Sequence, residues 1–368
     1  MTETQPQLEI TKDLEELAER LDDPGFVAIL NLPDVNLCDK RAEFVQRDGV
    51  LEQACMGCVS QFIKIRSMIS TEQVHEATDY FAENYGTRWI SVNGRGDPFH
   101  PFLVDRTLDK VTYTASKGIG SYVFYPGTDV GQDVYQTLAD NGANVMISLL
   151  GNDFIEGDFF EGREYRTPVE ELNGLLRESA NPEKLERLLK KGLVQDKTQI
   201  ARSIRELIRT YREHPNQPED GTTRLGMNYV VSEKDLADSG RKISYLKEMA
   251  NRNGIAFFCN NDFESHQDTE TQRRLVETAR RFSSHSTSVR GQCQMGAGSS
   301  VVVDHNGGMP RCPYQSEEGN PSFFKVPGTT DTDPMYRQLL DNQRRRIIYN
   351  HLTNRGYSCV VRGTLLSK

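Results

Sequence analysis

The chain has 368 residues, of which 36% are hydrophobic and 26% charged, enough for one large α/β domain and a smaller module. Its 53 acidic and 44 basic side chains give a formal charge of −9, which does not favour a nucleic-acid backbone or an anionic membrane as partner. An odd number of cysteines (seven), the lack of an apolar run of membrane-spanning length, and a polar segment 1–23 unlike a signal peptide predict a cytoplasmic protein with reduced thiols.

Strand and helix patterns alternate along most of the chain. Ser70 and Gln73 have capping-box spacing, and the helix that they begin is predicted to end at Gly86. Other helices are predicted at 10–21, 130–139 and 242–250. Runs of strand length lie at 26–32, 89–92, 121–125, 145–149, 224–231 and 255–259. This alternation indicates βαβ units, and hence an α/β fold with a parallel sheet whose active residues gather at the carboxyl ends of the strands.

Two segments depart from this alternation. The segment 168–220 is rich in Glu, Lys and Arg, and its apolar spacing predicts two or three helices. An enlarged crossover with a solvated face is the favoured interpretation there, and a specific partner site is the alternative. From residue 283 onward, short strand patterns and glycine turns, clearest at 300–304, predict a second, smaller module.

Three cysteines and a glycine-rich turn lie in the first hundred residues. Cys55 and Cys58 are close enough to share one iron or zinc ion, although such a pair alone also occurs in zinc knuckles and redox sites. Cys38 follows the first predicted strand. The turn at 93–98 combines glycines, which let carbonyls approach a ligand, with Asp97, a carboxylate that favours an ammonium group.

These residues resemble the radical S-adenosylmethionine (SAM) superfamily over roughly residues 26–262. That family holds a [4Fe–4S] cluster through three cysteines in the loop after its first strand, most often spaced Cys-x3-Cys-x2-Cys. Cys55 and Cys58 match the last two, while Leu51 stands at the first position. The resemblance therefore assigns the first ligand to Cys38, with sixteen residues between it and Cys55. It also implies a partial (β/α)6 barrel of parallel strands.

The resemblance further implies a set of SAM-binding residues. The turn is similar to the family's Gly-Gly-Glu-Pro, which holds the SAM amino group, with an aspartate in place of the glutamate. The residues implied there are Asn93, Gly94, Arg95, Gly96 and Asp97. Ser148 is placed at the SAM ribose and Arg224 at the SAM carboxylate. Their alternative roles are a strand-end cap for Ser148 and a surface ion pair for Arg224.

The cysteines near the other end have a spacing of their own. Thirteen residues separate Cys293 from Gly307, and four more precede Cys312. A hairpin predicted at 299–308 would bring the two thiolates together. This resembles the opening of SPASM and twitch modules, which bind auxiliary [4Fe–4S] clusters, and Cys359 would be a further ligand. His305, Cys259 or a substrate could complete the site, and a zinc ion held by the same spacing is the alternative.

The resemblance implies three regions and one activity. The regions are an N-terminal helical extension at 1–25, a barrel at 26–282 with a helical insertion at about 168–220, and a small cluster-binding α+β module at 283–368. The activity is an oxidoreductase-like radical SAM reaction, in which SAM is cleaved reductively and a hydrogen atom is taken from a small molecule, giving dehydrogenation or rearrangement. The auxiliary cluster would accept an electron or anchor the substrate, and flavodoxin or ferredoxin would be the reductant.

Two alternatives remain open at this point. A ribosomal peptide could replace the small molecule as substrate. Because Leu51 stands where the family has a cysteine, the chain could instead be a non-catalytic, zinc-stapled binding protein on a degenerate barrel.

Overall fold

The computed structural model describes residues 6–34, 44–47, 50–53, 68–92, 96–150, 197–215, 218, 222–231, 233–237, 240–261, 268–283, 300–313 and 320–353. The helices are α1 (Glu9–Glu16), α2 (Thr71–Tyr85), α3 (Val104–Ser116), α4 (Gln132–Asp140), α5 (Lys197–Glu213), α6 (Glu233–Ala237), α7 (Arg241–Arg252), α8 (Thr269–Phe282) and α9 (Tyr336–Thr353). The strands are β1 (Ile29–Asn31), β2 (Phe44–Arg47), β3 (Val50–Gln53), β4 (Trp89–Val92), β5 (Gly120–Tyr125), β6 (Asn144–Leu150), β7 (Leu225–Val231), β8 (Ala256–Asn261) and β9 (Ser300–Val302).

Seven strands form one parallel sheet in the order β8-β7-β6-β5-β4-β1-β9. Six of them, β1 and β4 to β8, lie side by side in the order of the chain. Crossovers between neighbouring parallel strands are almost always right-handed, so the helices that connect these strands fall on one face. The sheet then curves with its helices outside, as in a (β/α) barrel that does not close. The predicted α/β fold and partial barrel of parallel strands are confirmed.

Alternate strand residues face the helices or the concave interior. Val123, Tyr125 and Ile147 belong to the large core between strands and helices. Trp89 and Met146 belong to a second core on the interior face, which Leu8 and Ile10 near α1 complete; Tyr122, Phe124 and Phe258 pack against it. The Ile10 amide donates to Asn144 Oδ1 at 3.3 Å. Helix α1 therefore closes the interior at the amino ends of the strands.

Helix α2 begins and ends as the sequence predicts. The Ser70 hydroxyl accepts from the Gln73 amide, and the Gln73 side chain accepts from the Ser70 amide, which completes the capping box. Gly86 follows the helix with a φ of 62°, in the left-handed region that suits glycine. In the segment 168–220, helix α5 confirms one predicted helix, and residues 168–196 lie outside the described residues.

The segment expected to form a separate module contributes a strand to the main sheet. Strand β9 pairs in parallel with β1, and Ile29 lies opposite Ser300. The Asn31 side-chain amide donates to Ser300 Oγ at 2.6 Å and to the Val301 carbonyl at 3.0 Å. The predicted glycine turn is present, since the Gly307 amide donates to the Asp304 carbonyl. The backbone groups on the open edge of β1 are available for pairing, and β9 pairs with them. The predicted boundary at 283 therefore lies between two strands that pair with each other.

None of the helices in the described ranges is both long and apolar enough to cross a bilayer.

Candidate active site at the carboxyl edge of the sheet

The loops after β1 and β4 begin next to each other. Asn31 of β1 lies opposite Ser91 of β4, and paired strands lie about 4.8 Å apart. The loop after β1 runs from residue 35 to residue 68 and contains Cys38, Cys55 and Cys58; we call it the front cysteine loop. These three cysteines lie outside the described residues.

Both ends of the front cysteine loop are tied to the body of the protein. At its start, the Asp34 carboxylate accepts from Arg106 Nε and Lys110 Nζ, each at 2.7 Å. At its end, the Ile69 amide donates to the carbonyl of His305 at 2.7 Å. The loop therefore leaves and rejoins the fold at fixed points, one beside β1 and one beside the segment that follows β9.

A hairpin interrupts the front cysteine loop between Cys38 and Cys55. Strands β2 and β3 are antiparallel, with Phe44 opposite Gln53 and Arg47 opposite Val50. An antiparallel pair returns the chain to the place where the pair began, so the segments on either side of it leave from one end. Leu51, at the position where the related spacing has a cysteine, is part of β3.

The Asp97 carboxylate connects the turn after β4 to the turn after β5. Asp97 is fully buried; its Oδ1 accepts from the Phe99 amide at 2.8 Å, and its Oδ2 accepts from the Thr128 hydroxyl. Gly96 before it has a φ of 64°. These hydrogen bonds give Asp97 a role in shaping the turn that the sequence analysis did not foresee. The predicted Asn93, Gly94 and Arg95 lie outside the described residues.

Two tyrosines support the Thr128 end of this connection. The Tyr125 hydroxyl donates to the Thr128 carbonyl at 2.8 Å and lies 2.7 Å from the Tyr135 hydroxyl. Burial raises the pKa of Tyr135 to about 12, so its phenol stays protonated at neutral pH. The two phenols therefore add neutral hydrogen bonds to the one that Thr128 makes with Asp97.

Ser148 lies toward the carboxyl ends of the strands, and Arg224 lies at their amino ends. Ser148 lies in β6 opposite Asn228 of β7, on the interior-facing side that it shares with Met146. Arg224 comes directly before β7, at its amino end, and its Nε is 2.8 Å from Glu9 Oε2. A ligand at the carboxyl ends of the strands contacts side chains at those ends. Arg224 lies at the amino end of β7, so it does not belong to the candidate site.

Sequence reasoning did not single out two interior amides. The Asn260 side chain of β8 donates to the side-chain carbonyl of Asn228. Asn228 lies two residues after Gly226, and Asn260 lies two residues after Phe258. Side chains two residues apart on a strand point to the same face, so both asparagines face the interior, as Ser148 does. The same alternation along the predicted strands could have identified both from the sequence. Ser148 and the two amides give the interior an uncharged polar lining near the carboxyl edge.

The rear cysteines are only partly described. Cys312 is buried with 8% of its surface exposed, and Cys293 and Cys359 lie outside the described residues. His305 is also buried, and its Nδ1 is 2.5 Å from Asp304 Oδ1. Among the described side chains, no group of three His, Cys, Asp or Glu is arranged to hold a metal ion.

Cys259 does not qualify as a metal ligand. It belongs to the buried core between strands and helices. Burial raises the pKa of its thiol well above the ordinary value. Its place in the apolar core, at 0% exposure, makes Cys259 a small core residue.

No protein-family model and no curated protein matches the chain. Solved structures with a related backbone include anSMEcpe with bound AdoMet and a peptide, at 12% identity and a TM-score of 0.44 over 88% of this chain and 83% of that one. Streptococcus suis SuiB bound to S-adenosylmethionine gives 13% and 0.37 over 95% and 75%. The Escherichia coli radical SAM enzyme HemN, a coproporphyrinogen III oxidase, gives 9% and 0.32 over 76% and 61%. With TM-scores this low, the likeness adds nothing to the strand order and register seen in the chain itself.

Proposed function

We propose that this chain is a radical SAM enzyme that cleaves S-adenosylmethionine reductively at the carboxyl edge of its partial barrel. The observation that carries the proposal is the hairpin β2–β3, which returns the chain between Cys38 and Cys55. This return makes a separation of sixteen residues compatible with two ligands of one cluster. The anchoring of the loop ends, at Asp34 to α3 and at Ile69 to the segment after β9, supports the same location.

The donor chemistry of the front cysteine loop fits a [4Fe–4S] cluster. Cys38, Cys55 and Cys58 are three thiol ligands on one loop, and thiolates are the ligands that such clusters take. They would hold three irons and leave the fourth to the amino and carboxylate groups of SAM. When bound, the cluster supplies the electron that cleaves SAM to methionine and a 5′-deoxyadenosyl radical, which takes a hydrogen atom from the substrate.

The residues of the chain bind, orient and exclude water. Asp97 and Thr128 fix the turn at 93–98, whose backbone and glycines would meet the SAM amino group. Ser148 faces the interior, where the SAM ribose is proposed to lie. Helix α1 closes the amino end of the barrel, which keeps water from entering behind the ligand.

A small molecule with neutral hydrogen-bonding groups is the proposed substrate. Asn228 and Asn260 offer amide groups and no charge, which suits the hydroxyls or amides of a sugar or an aminocyclitol. We propose dehydrogenation or rearrangement as the reaction. An auxiliary cluster held by Cys293, Cys312 and Cys359 would accept an electron or anchor the substrate, with flavodoxin or ferredoxin as reductant in the cytoplasm.

Iron content and SAM cleavage test this proposal. Anaerobically purified protein is expected to be brown, to contain about eight iron atoms and to form 5′-deoxyadenosine with dithionite and SAM. The variant Cys38→Ala is expected to lose about four iron atoms and all 5′-deoxyadenosine, because the loop keeps only two thiolates.

Cys259→Ala is the matched control, since it removes a buried thiol outside the front cysteine loop and is expected to keep both iron and activity. A colourless wild-type protein that contains zinc would establish the binding-protein alternative. A Cys38→Ala variant that still forms 5′-deoxyadenosine would show that another residue is the first ligand. Turnover of a peptide and of no small molecule would select the peptide alternative.

A further inference from the structure

Tyr125 lies behind two residues that donate to Asp97. It is the last residue of β5, and its side chain is fully buried. Its hydroxyl donates to the Thr128 carbonyl at 2.8 Å, and the Thr128 hydroxyl donates to the Asp97 carboxylate. Its ring meets the Phe99 ring edge to face, with the centroids 5.3 Å apart, and the Phe99 amide donates to the other Asp97 oxygen. One side chain therefore supports two donors of one carboxylate.

Other buried hydroxyls hold Tyr125 in its orientation. The Tyr135 hydroxyl of α4 lies 2.7 Å from the Tyr125 hydroxyl. Because the single phenol proton of Tyr125 is donated to Thr128, Tyr135 is the donor of this hydrogen bond. Ser203 of α5 is also buried and hydrogen-bonds both phenols. Helices α4 and α5 thus fix the direction in which the Tyr125 hydroxyl points.

The carboxylate that these contacts reach has no access to solvent. Asp97 is fully buried, so water does not replace a donor that moves away from it. Its two oxygens accept from residues on either side of the space between the turns after β4 and β5. A displacement of Thr128 or Phe99 therefore displaces the Asp97 side chain and the backbone of its turn.

The hydroxyl of Tyr125 adds direction to this contact and little packing. A phenylalanine fills nearly the same volume and keeps the edge-to-face contact with Phe99. It lacks the donor that fixes the Thr128 carbonyl, and with it the position from which the Thr128 hydroxyl reaches Asp97. The effect of the hydroxyl can thus be separated from the effect of the ring.

We propose that Tyr125 is a positioning residue that sets the affinity for SAM by holding the turn at 93–98 through Thr128, Phe99 and Asp97. Its side chain belongs to the core between strands and helices, so it acts on a ligand in the interior only through these residues. The inference rests on the proposed function, because it requires SAM at this turn.

Two variants compare this phenol with another that supports a different part of the fold. Tyr125→Phe removes the hydroxyl that donates to Thr128. Tyr211→Phe is the matched control, since Tyr211 of α5 is also fully buried and its hydroxyl donates to the main-chain carbonyl of Ala143, before β6, at 2.9 Å. Both are expected to lower the midpoint of urea unfolding by similar amounts, because each loses one buried neutral hydrogen bond.

Calorimetric titration of the anaerobically reconstituted protein with SAM measures the affinity. Tyr125→Phe is expected to bind SAM about two- to tenfold more weakly than wild type, the ratio that corresponds to one neutral hydrogen bond. Tyr211→Phe is expected to bind SAM as wild type does. A purely structural role predicts that both variants change the affinity equally, or that neither changes it.

Hydrogen–deuterium exchange in the absence of SAM tests the route of the effect. The peptide that contains the Phe99 amide is expected to exchange faster in Tyr125→Phe than in wild type, because the hydrogen bond to Asp97 opens more often. It is expected to exchange at the wild-type rate in Tyr211→Phe. If Tyr125→Phe does not fold by circular dichroism, Tyr135→Phe removes the donor to Tyr125 and carries the same expectations.

The outcomes separate the two proposals. A wild-type protein that binds no SAM overturns both. Where wild type binds SAM, an unchanged affinity in Tyr125→Phe, or an equal loss in Tyr211→Phe, overturns this inference and leaves the proposed function standing. A weaker affinity without faster exchange at Phe99 overturns it as well, because Tyr125 then acts by a route that does not pass through Asp97.

Discussion

At the scale of single residues, the Asp97 carboxylate connects two turns at the carboxyl edge. One of its oxygens accepts from the Phe99 amide in its own turn, and the other accepts from the Thr128 hydroxyl across the neighbouring strand. A buried carboxylate that accepts from two protein donors holds both turns in one arrangement. The shape of the proposed SAM turn thus depends on a residue that follows a different strand.

Replacement of Thr128 by valine tests this connection. Thr128→Val keeps the size of the side chain and removes the hydroxyl donor from a buried carboxylate, so we expect the free energy of unfolding in urea to fall by about 1–3 kcal/mol. Thr128→Ser retains the hydroxyl and is expected to lose less. Equal stability of Thr128→Val and wild type would contradict the contribution of this hydrogen bond.

The strand pattern predicted the position of Ser148, whereas its role at the SAM ribose stays a prediction. Ser148 was expected on β6, and the period of two places it on the interior face. Arg224 was assigned by motif likeness, and its position at the amino end of the strand excludes it from the carboxyl edge. The Asp34, Arg106 and Lys110 group could not be predicted, because its partners are 72 and 76 residues apart and meet only when α3 packs beside β1.

At the scale of elements, the hairpin β2–β3 distinguishes this front cysteine loop from a short one. Its four paired positions, from Phe44 opposite Gln53 to Arg47 opposite Val50, fix the register of the two strands. The dipeptide Asp48-Gly49 between them is a strong hairpin signal in the sequence. This signal could have predicted the hairpin before the structure was known.

Removal of the hairpin tests its role in the loop. We expect a variant in which residues 44–53 are replaced by a flexible Gly-Ser segment of the same length to fold normally, because the hairpin pairs with no strand of the main sheet. After anaerobic reconstitution, this variant is expected to contain about four fewer iron atoms than wild type, because Cys38 and Cys55 on either side of the segment are no longer brought together. The measurements are iron content and far-ultraviolet circular dichroism.

The matched control keeps the Asp48-Gly49 dipeptide and has β-forming residues on both sides of it, but in a different order. This variant should still form a hairpin and retain iron. Full iron content in the Gly-Ser variant would contradict the proposed role of the hairpin.

Element-level prediction was strongest for the repeating units of the barrel. Each of the six strands in chain order was predicted within a few residues, because short apolar runs alternate with helical patterns. The pairing of β9 with β1 could not be predicted, since local patterns contain no information about a partner so distant in sequence. The predicted separate module therefore included β9, a strand that belongs to the main sheet.

At the scale of the whole molecule, helix α1 and the residues before it close the barrel at its amino end. Leu8 and Ile10 are 1% and 4% exposed, and they pack with Trp89 and Met146 of the interior core. The ion pair between Arg224 and Glu9 joins the same helix to the start of β7, but the Glu9 side chain is 48% exposed. Apolar packing should therefore hold the helix, with a small contribution from the ion pair.

Two substitutions compare these contributions. Leu8→Ala is expected to lower the free energy of unfolding by about 2–5 kcal/mol, because it leaves a cavity in the interior core. Arg224→Gln is expected to lower it by less than about 1 kcal/mol, since solvent screens the pair. Neither should change SAM affinity measured by calorimetry. A large loss of SAM affinity in Arg224→Gln would restore the residue to the site.

The pairing of β9 with β1 has a consequence for biosynthesis. The hydrogen bond from Asn31 to Ser300 spans 269 residues, and a ribosome adds roughly 5–20 residues each second. The nascent chain therefore carries β1 without this neighbour for roughly 15–50 s, and over that interval one edge of the strand is open to other chains. The Ile69 anchor also waits for His305 to be translated. The front cysteine loop is thus synthesised, without its second anchor, well before the sheet beside it is complete.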